Sequence, residues 1–327
     1  MTIAPTPRDP IYRDGTAQLY RFRRPATGPA EAGLPLLLVP SLINRWYVMD
    51  LRPRQSLVEA LVGAGVDTWC LDWGKPNDED RYLAWDEIFD RLGRMVRRVK
   101  RATGAPRVGL LGYCMGGTLS GIYTALAPHD VAALINLLGP FDFDHGGFLA
   151  HVAQPRWFDA EAVAAAGNVS PHQLQSSFLM LRPTGQMSKL VSLLELATKP
   201  PEALEGFVAL ETWANDGIPF PAAAYVTYIK ELYQENRLVR GTHAVRGQRV
   251  DLGAIRCPVL TVCAEKDTIC PPAAARALNE HCGSADQQVL MVPGGHVGAV
   301  VGSKAVKVLY PGISAWLREK LAVPAAA

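Results

Sequence analysis

Gly112-Tyr113-Cys114-Met115-Gly116-Gly117 sets a thiol among glycines at the spacing of the G-x-S-x-G nucleophile elbow, with sulfur in place of oxygen. An apolar run, Val108 to Leu111, leads into it, and a small-residue stretch, Thr118 to Ala127, follows. That pattern predicts strand, tight turn and helix. The turn forces strained backbone angles on Cys114, and the glycines leave room for it. Burial in the core is the ordinary fate of cysteine and is the expectation for Cys257 and Cys263; the bracketing glycines set Cys114 apart. A phosphate loop is excluded because no Lys-Ser or Lys-Thr follows the glycines.

A thiol nucleophile needs a base, and the base needs an orienting group. Asp267 follows the apolar run Cys257 to Ala264; His296 follows Gln288 to Val292 and two glycines. The order nucleophile, acid, histidine is that of α/β-hydrolases, and all three positions fall in loops at strand carboxyl ends. Asp267 has a competing role as N-cap of a helix beginning near Pro271. His129, His145, His151, His172, His243 and His281 lie in polar segments, in the central segment or at a helix end, where a histidine usually has no chemical role. The oxyanion hole is expected from the backbone N–H of Met115 and one N–H of the loop after Leu34–Val39, Ile43 first and Leu42 second. A thioester acyl-enzyme suits acyl exchange with another thiol, since nucleophile and leaving group have similar basicity.

The elements that must position these groups run strand, helix, strand, helix, strand, helix, strand. They are Leu34–Val39, Ser56–Ala64, Val66–Leu71, Trp85–Arg101, the elbow strand and its helix, and Val131–Leu138. This is the order of a mostly parallel sheet wound on both faces. From Asp144 to Gly247 no buried strand run occurs. Helical patches such as Ser188–Thr198 and Ala222–Leu232, split by Lys199-Pro200-Pro201, predict a helical cap. Its large side chains Phe178, Leu179, Trp213 and Phe220 are expected to pack on the core, with shielding of the thiol or facing a granule or partner as the alternatives. A last helix falls within Ala305–Leu321, with Pro311 as a kink or break. The expected division is a lead-in over 1–33 with at most one edge strand, an α/β-hydrolase core over 34–143 and 248–321, and a cap insertion over 144–247.

Bulk properties narrow the function classes. The chain of 327 residues has formal net charge +2, which gives no reason to expect nucleic acid. No run of 18 apolar residues is present, so no transmembrane segment is expected, and the polar, proline-rich start lacks a secretory apolar core. Six cysteines at 70, 114, 257, 263, 270 and 282 form no C-x-x-C pair and no zinc pattern. Reduced thiols in the cytoplasm are the expectation, with no metal and no cofactor.

Several stretches together resemble poly(hydroxyalkanoate) synthases, most of all the short type that works with a second subunit (class III). They are Val39-Pro40-Ser41-Leu42-Ile43-Asn44-Arg45 with Met49-Asp50-Leu51, Leu71-Asp72-Trp73-Gly74, the elbow, and Asp142-Phe143. The others are Ile229 to Leu238 with its Tyr233-Gln234-Glu235-Asn236, Ala264-Glu265-Lys266-Asp267, and Pro293-Gly294-Gly295-His296-Val297-Gly298. The resemblance spans Pro40 to Leu317. It implies Cys114 as acylated nucleophile, His296 as base and Asp267 as its partner. It also implies (R)-3-hydroxyacyl-CoA as substrate, coenzyme A as product, a second synthase subunit, and a polyester granule surface. Two positions depart from the family pattern: Met115 stands where Gln is usual, and Gly139-Pro140-Phe141-Asp142-Phe143 replaces Thr-Pro-Val-Asp-Phe. The alternatives are a thiol hydrolase or non-polymerising acyltransferase on the same fold, and a non-catalytic granule protein.

Overall fold

Leu36–Val39, Val108–Tyr113, Val131–Leu137 and Val259–Ala264 are apolar runs buried over their whole length. Strands covered on both faces read this way. In the computed structural model, residues 2–25, 33–180, 193–196, 198 and 201–322 are described. The main sheet contains β1 (Arg8–Asp14), β2 (Ala17–Phe22), β3 (Leu36–Val39), β4 (Thr68–Asp72), β5 (Val108–Tyr113), β6 (Val131–Leu137), β7 (Val259–Ala264) and β8 (Gln287–Val292). Their spatial order is β1-β2-β4-β3-β5-β6-β7-β8. Pairings from β4 through β8 are parallel, while β1 and β2 add an antiparallel edge. This is the expected α/β-hydrolase sheet with helices on both faces.

Local chemistry accounts for the helix boundaries. Helix α1 (Leu57–Gly63) starts where the Ser56 hydroxyl accepts from Glu59 N at 2.8 Å. Helix α2 (Trp85–Thr103) has Asp86 and Glu87 in its first turn, Lys100 and Arg101 in its last, and ends on left-handed Gly104. Helix α3 (Met115–Leu126) begins three residues before the expected Thr118, because the elbow runs directly into it. Helices α4 (Pro272–His281) and α5 (Tyr310–Lys320) complete the core. Pro311 breaks nothing. It sits where a π-helical turn over Ala305–Leu309 runs into α5, so the helix meets the proline with a local change of winding rather than a break.

The lead-in carries two strands rather than one. Ala17 and Leu19 alternate onto the buried face of β2, and Gly15 turns the chain at φ 60°. The alternation is too short to stand out in the sequence, and pairing with β4 supplies the burial. Nearby, the Thr6 hydroxyl (2.8 Å) and the Ser56 hydroxyl (2.6 Å) donate to Oδ1 of fully buried Asp50. The first residues are thus tied to the loop that follows β3.

Between β6 and β7 the described chain is mainly helical. It contains Gly147–Val152, Ala160–Ala164, Pro171–Met180, Pro201–Asn215 and Ala222–Thr227, the last continuing as a π-helix over Tyr228–Gln234. A two-stranded hairpin, Ala244–Val245 with Gln248–Arg249, straddles the expected boundary at 247. Of the expected helix Ser188–Thr198, residues 193–196 are helical and much of the rest lies outside the described residues. The side chains of Phe178 and Leu179 also lie outside them. Phe220, Tyr228 and Leu232 share one apolar cluster with Ile88, Leu119 and Phe141, so the insertion is packed onto the sheet's helical layer. The Trp213 indole N–H donates to Arg45 O at 2.9 Å, and Ile218 N donates to Ile43 O at 2.9 Å.

Because Leu19 is fully buried in the main apolar cluster, Leu19→Ala should lower unfolding stability by about 2–5 kcal/mol. Urea denaturation checks this: a midpoint unchanged from the parent would mean that the β1–β2 hairpin is not part of the cooperative unit.

Candidate active site

At the end of central strand β5 the chain must reverse into α3 within one residue. Cys114 takes that residue, with φ 56° and ψ −128°, a conformation costing a non-glycine residue about 1–3 kcal/mol. Its surroundings hold it there. Cys114 N donates to Leu137 O at 2.9 Å, and Gly117 N donates to Cys114 O at 2.8 Å. A Cβ on Gly112 would stand 2.1 Å from Gly116 O, and one on Gly116 would stand 2.0 Å from Val39 O. The backbone of α3 therefore lies against the ends of β3 and β5, which only glycine permits.

Asn136 braces the other side. Its amide donates to Gly139 O at 2.9 Å and its Oδ1 accepts from Gly139 N at 3.0 Å. The same oxygen would lie 2.2 Å from a Cβ on Gly117. Sequence reasoning passed over this residue, although a lone Asn inside the apolar run Val131–Leu138 is a signal of it.

Asp267, after β7, is not the N-cap weighed for it, since Pro271 holds that position with no side-chain cap bond; its two oxygens serve a turn and the imidazole. Oδ1 accepts from Ile269 N (2.8 Å) and Cys270 N (2.9 Å), closing the turn before α4. Oδ2 accepts the Nδ1–H of His296 at 2.7 Å, with both residues buried. That bond leaves Nε2 as the free nitrogen of the ring, buried and without a hydrogen-bond partner among the described groups. The ring lies against Tyr113, centroid to centroid 5.5 Å. Burial opposes a charge on His296, but the nearby Cys114 sulfur and the Asp267 carboxylate outweigh it and push the imidazole up to about 10. The structure thus brings Cys114, Asp267 and His296 to one place from three strand ends. Of the six other histidines, His243 proves fully buried, held between the Trp85 indole N–H (3.1 Å) and Glu231 (2.8 Å), remote in the sequence from the elbow.

Cys114 is partly exposed, and it opens into a cavity of about 480 Å³. Met115, Ile43 and Pro140 wall it near the sulfur; Phe220, Tyr228 and Tyr233 wall it from the insertion. Phe220 therefore both packs on the core and lines the cavity that the thiol faces. Met115 is the first residue of α3, so its N–H belongs to the helix end and has no intrahelical acceptor. Ile43 N makes one long bond, 3.4 Å to the Ser41 hydroxyl. The Ile43 loop is fixed from several sides. The Trp73 indole donates to Pro40 O at 3.0 Å, Arg45 pairs with Asp72 at 3.3 Å, and Tyr47 donates to Asp216 at 2.9 Å. Among the described residues no cluster of three or more His, Cys, Asp or Glu could hold a metal ion, and no helix is long and apolar enough to cross a membrane.

Residues 35–303 match the alpha/beta hydrolase fold family, and residues 1–61 match the family described as Poly-beta-hydroxybutyrate polymerase (PhaC) N-terminus. The chain is 36% identical over 320 residues to the poly(3-hydroxyalkanoate) polymerase subunit PhaC of Allochromatium vinosum, covering 96% of this chain and 89% of that protein. It is 32% identical to the subunit of the same name from Thiocystis violacea, with 96% and 89% covered. Among solved structures it is similar to a monoglyceride lipase of Saccharomyces cerevisiae, with TM-score 0.61, 14% identity, and 98% and 97% covered. A monoacylglycerol lipase of Paleococcus ferrophilus is also similar, with TM-score 0.55, 16% identity, and 92% and 99% covered. At such identities the lipases speak for the fold alone. The likeness to the polymerase subunits runs the length of this chain and nearly that of theirs, and by it the chain belongs to the poly(3-hydroxyalkanoate) polymerase family.

Proposed function

We propose that this chain polymerises (R)-3-hydroxyacyl-CoA on Cys114, with His296 as the proton-transferring base and Asp267 as its orienting partner. The observation that carries this reading is a strained cysteine opening into an apolar cavity, beside a buried histidine whose second nitrogen is held by a carboxylate. His296 Nε2 takes the thiol proton. The thiolate attacks the carbonyl carbon of the acyl-CoA, and the tetrahedral oxyanion is received by the N–H groups of Met115 and Ile43. The Ile43 N–H gives up only a long bond to do so. The C–S bond to coenzyme A then breaks, the leaving sulfur takes the proton from His296, and the acyl group remains on Cys114.

Elongation uses the same groups. His296 removes the proton of the 3-hydroxyl of an incoming hydroxyacyl-CoA, whose oxygen attacks the Cys114 thioester. The lengthened chain leaves as its CoA thioester and is taken back by Cys114 with release of coenzyme A. Asp267 stays out of contact with substrate, since both its oxygens are engaged and its side chain is fully buried. An apolar cavity wall disfavours water, which favours transfer over hydrolysis. Residues 144–247 act as the cap over this cavity, residues 34–143 and 248–321 as the catalytic core, and 1–33 as the lead-in. The relatives are named as subunits, and we extend that to a second synthase subunit here. Exposed Leu194, Leu204 and Val208 of the insertion supply apolar surface for that subunit or for a cytoplasmic polyester granule.

Release of coenzyme A together with chloroform-soluble polymer tests the reading, with candidate partner subunits present. Free hydroxyacid without polymer would overturn it in favour of a hydrolase. Cys114→Ala should lose at least about 10³-fold in rate and Cys114→Ser should keep only traces; a Cys114→Ala protein that still supported polymer accumulation in cells would leave a non-catalytic role.

The imidazole gives a second test. Since His296 is raised from 6.5 to about 10, its contribution to stability is fully present below about pH 6.5 and fades as pH rises through about 10. In Cys114→Ala the pull of the sulfur is gone, so the His296 titration followed by NMR should move to lower pH. An unmoved titration would mean that the ring answers to Asp267 alone.

A further inference from the structure

The cavity above Cys114 poses a problem of charge. Among the described residues that line it none is a lysine or arginine, and His151 is the single one that can become cationic. A volume of about 480 Å³ is that of an ordinary ligand pocket. It suits an acyl group on its thiol arm, but its described wall offers no lysine or arginine for the phosphates of a nucleotide. On the reading proposed above, the carrier's nucleotide must therefore rest outside the cavity, at its mouth.

One lining residue is built for that position. Trp157 lines the cavity and yet is 65% exposed, with the Arg156 guanidinium 5.2 Å from its ring centroid. Arg156 makes no ion pair among the described residues, so its charge is available. The loop is not slack. Trp157 N and Phe158 N both donate to Gln154 O, at 2.8 and 3.0 Å. The Gln234 side chain reaches from the π-helix to Ala153 O (2.8 Å) and Phe158 O (3.1 Å), one bond on each side of the indole. An indole left in water on a pinned loop, with a free cation beside it, is poorly explained as core packing. It fits a flat heteroaromatic ring that carries phosphate.

We infer that Trp157 and Arg156 form a docking platform for the nucleotide end of the acyl carrier: the indole stacks on the adenine, and the guanidinium meets a phosphate of the same ligand. This inference rests on the acyl-CoA reading of the site.

The test compares an (R)-3-hydroxyacyl-CoA with the same acyl group on N-acetylcysteamine, which keeps the thioester and lacks the nucleotide. In the full-length protein, Trp157→Ala should cut the preference for the CoA thioester, taken as the ratio of the two kcat/KM values, by about tenfold, the loss of one base–aromatic stack. Trp157→Phe should recover much of it. Arg156→Gln should weaken the dependence of the CoA reaction on ionic strength. A ratio unchanged in Trp157→Ala, with both thioesters slowed alike, would overturn the inference and make the indole part of the acyl wall. Calorimetry with free coenzyme A separates this failure from failure of the polymerase reading. If neither thioester reacts, the catalytic reading falls, while the platform stands on an approximately tenfold loss of coenzyme A affinity in Trp157→Ala and falls without it.

Discussion

Backbone lying on backbone is the constraint from which the site follows. The first turn of α3 is pressed so close to the ends of β3 and β5 that side chains at Gly112 and Gly116 would overlap carbonyl groups. A helix docked at that distance leaves one residue between strand and helix, and that residue must adopt a positive φ. The strain does not stand alone: hydrogen bonds from Cys114 N, to Cys114 O and through the Asn136 amide over-determine the turn. The sulfur is thereby held away from the strand and toward the cavity, and its direction owes nothing to the cysteine side chain itself.

Electrostatics then act on a geometry already set. A buried imidazole should be neutral, because desolvation penalises the cation. Here a carboxylate on one nitrogen and a sulfur in reach of the ring reverse that preference. The carboxylate is itself immobilised by two backbone N–H donors from the turn before α4. One short segment, Asp267 to Cys270, thus closes its own turn and orients the imidazole at once. The turn and the imidazole do not compete for the carboxylate, because it has two oxygens.

The helical segment between β6 and β7 supplies part of the cavity wall. It contributes to the same apolar cluster as α2 and α3, and it is pinned to the loop after β3 through Ile43, Arg45 and Tyr47. The loop proposed to supply an oxyanion donor and the roof of the cavity are therefore one connected unit. The family motifs Pro40-Ser41 and Asp72-Trp73-Gly74 earn their place in that unit rather than in the chemistry, since Trp73 and Asp72 hold the loop's backbone and Arg45.

The elbow, the chain order of Cys114, Asp267 and His296, and the parallel order of the core were legible in the residues, because each depends on local composition: buried strands read as apolar runs, and a crowded turn needs glycine. The two strands of the lead-in were not, since three buried residues make too short an alternation and only pairing with β4 gives them a face. Tyr113 and Gln234 act through partners far away in sequence, so their roles could not be read from their neighbours. The sequence alone thus determined which groups stand at strand ends and in what order. Tertiary packing decided the direction of the sulfur, the sharing of Asp267, the burial that tunes His296 and the cavity they face, because distance, desolvation and enclosed volume arise only when separate segments meet.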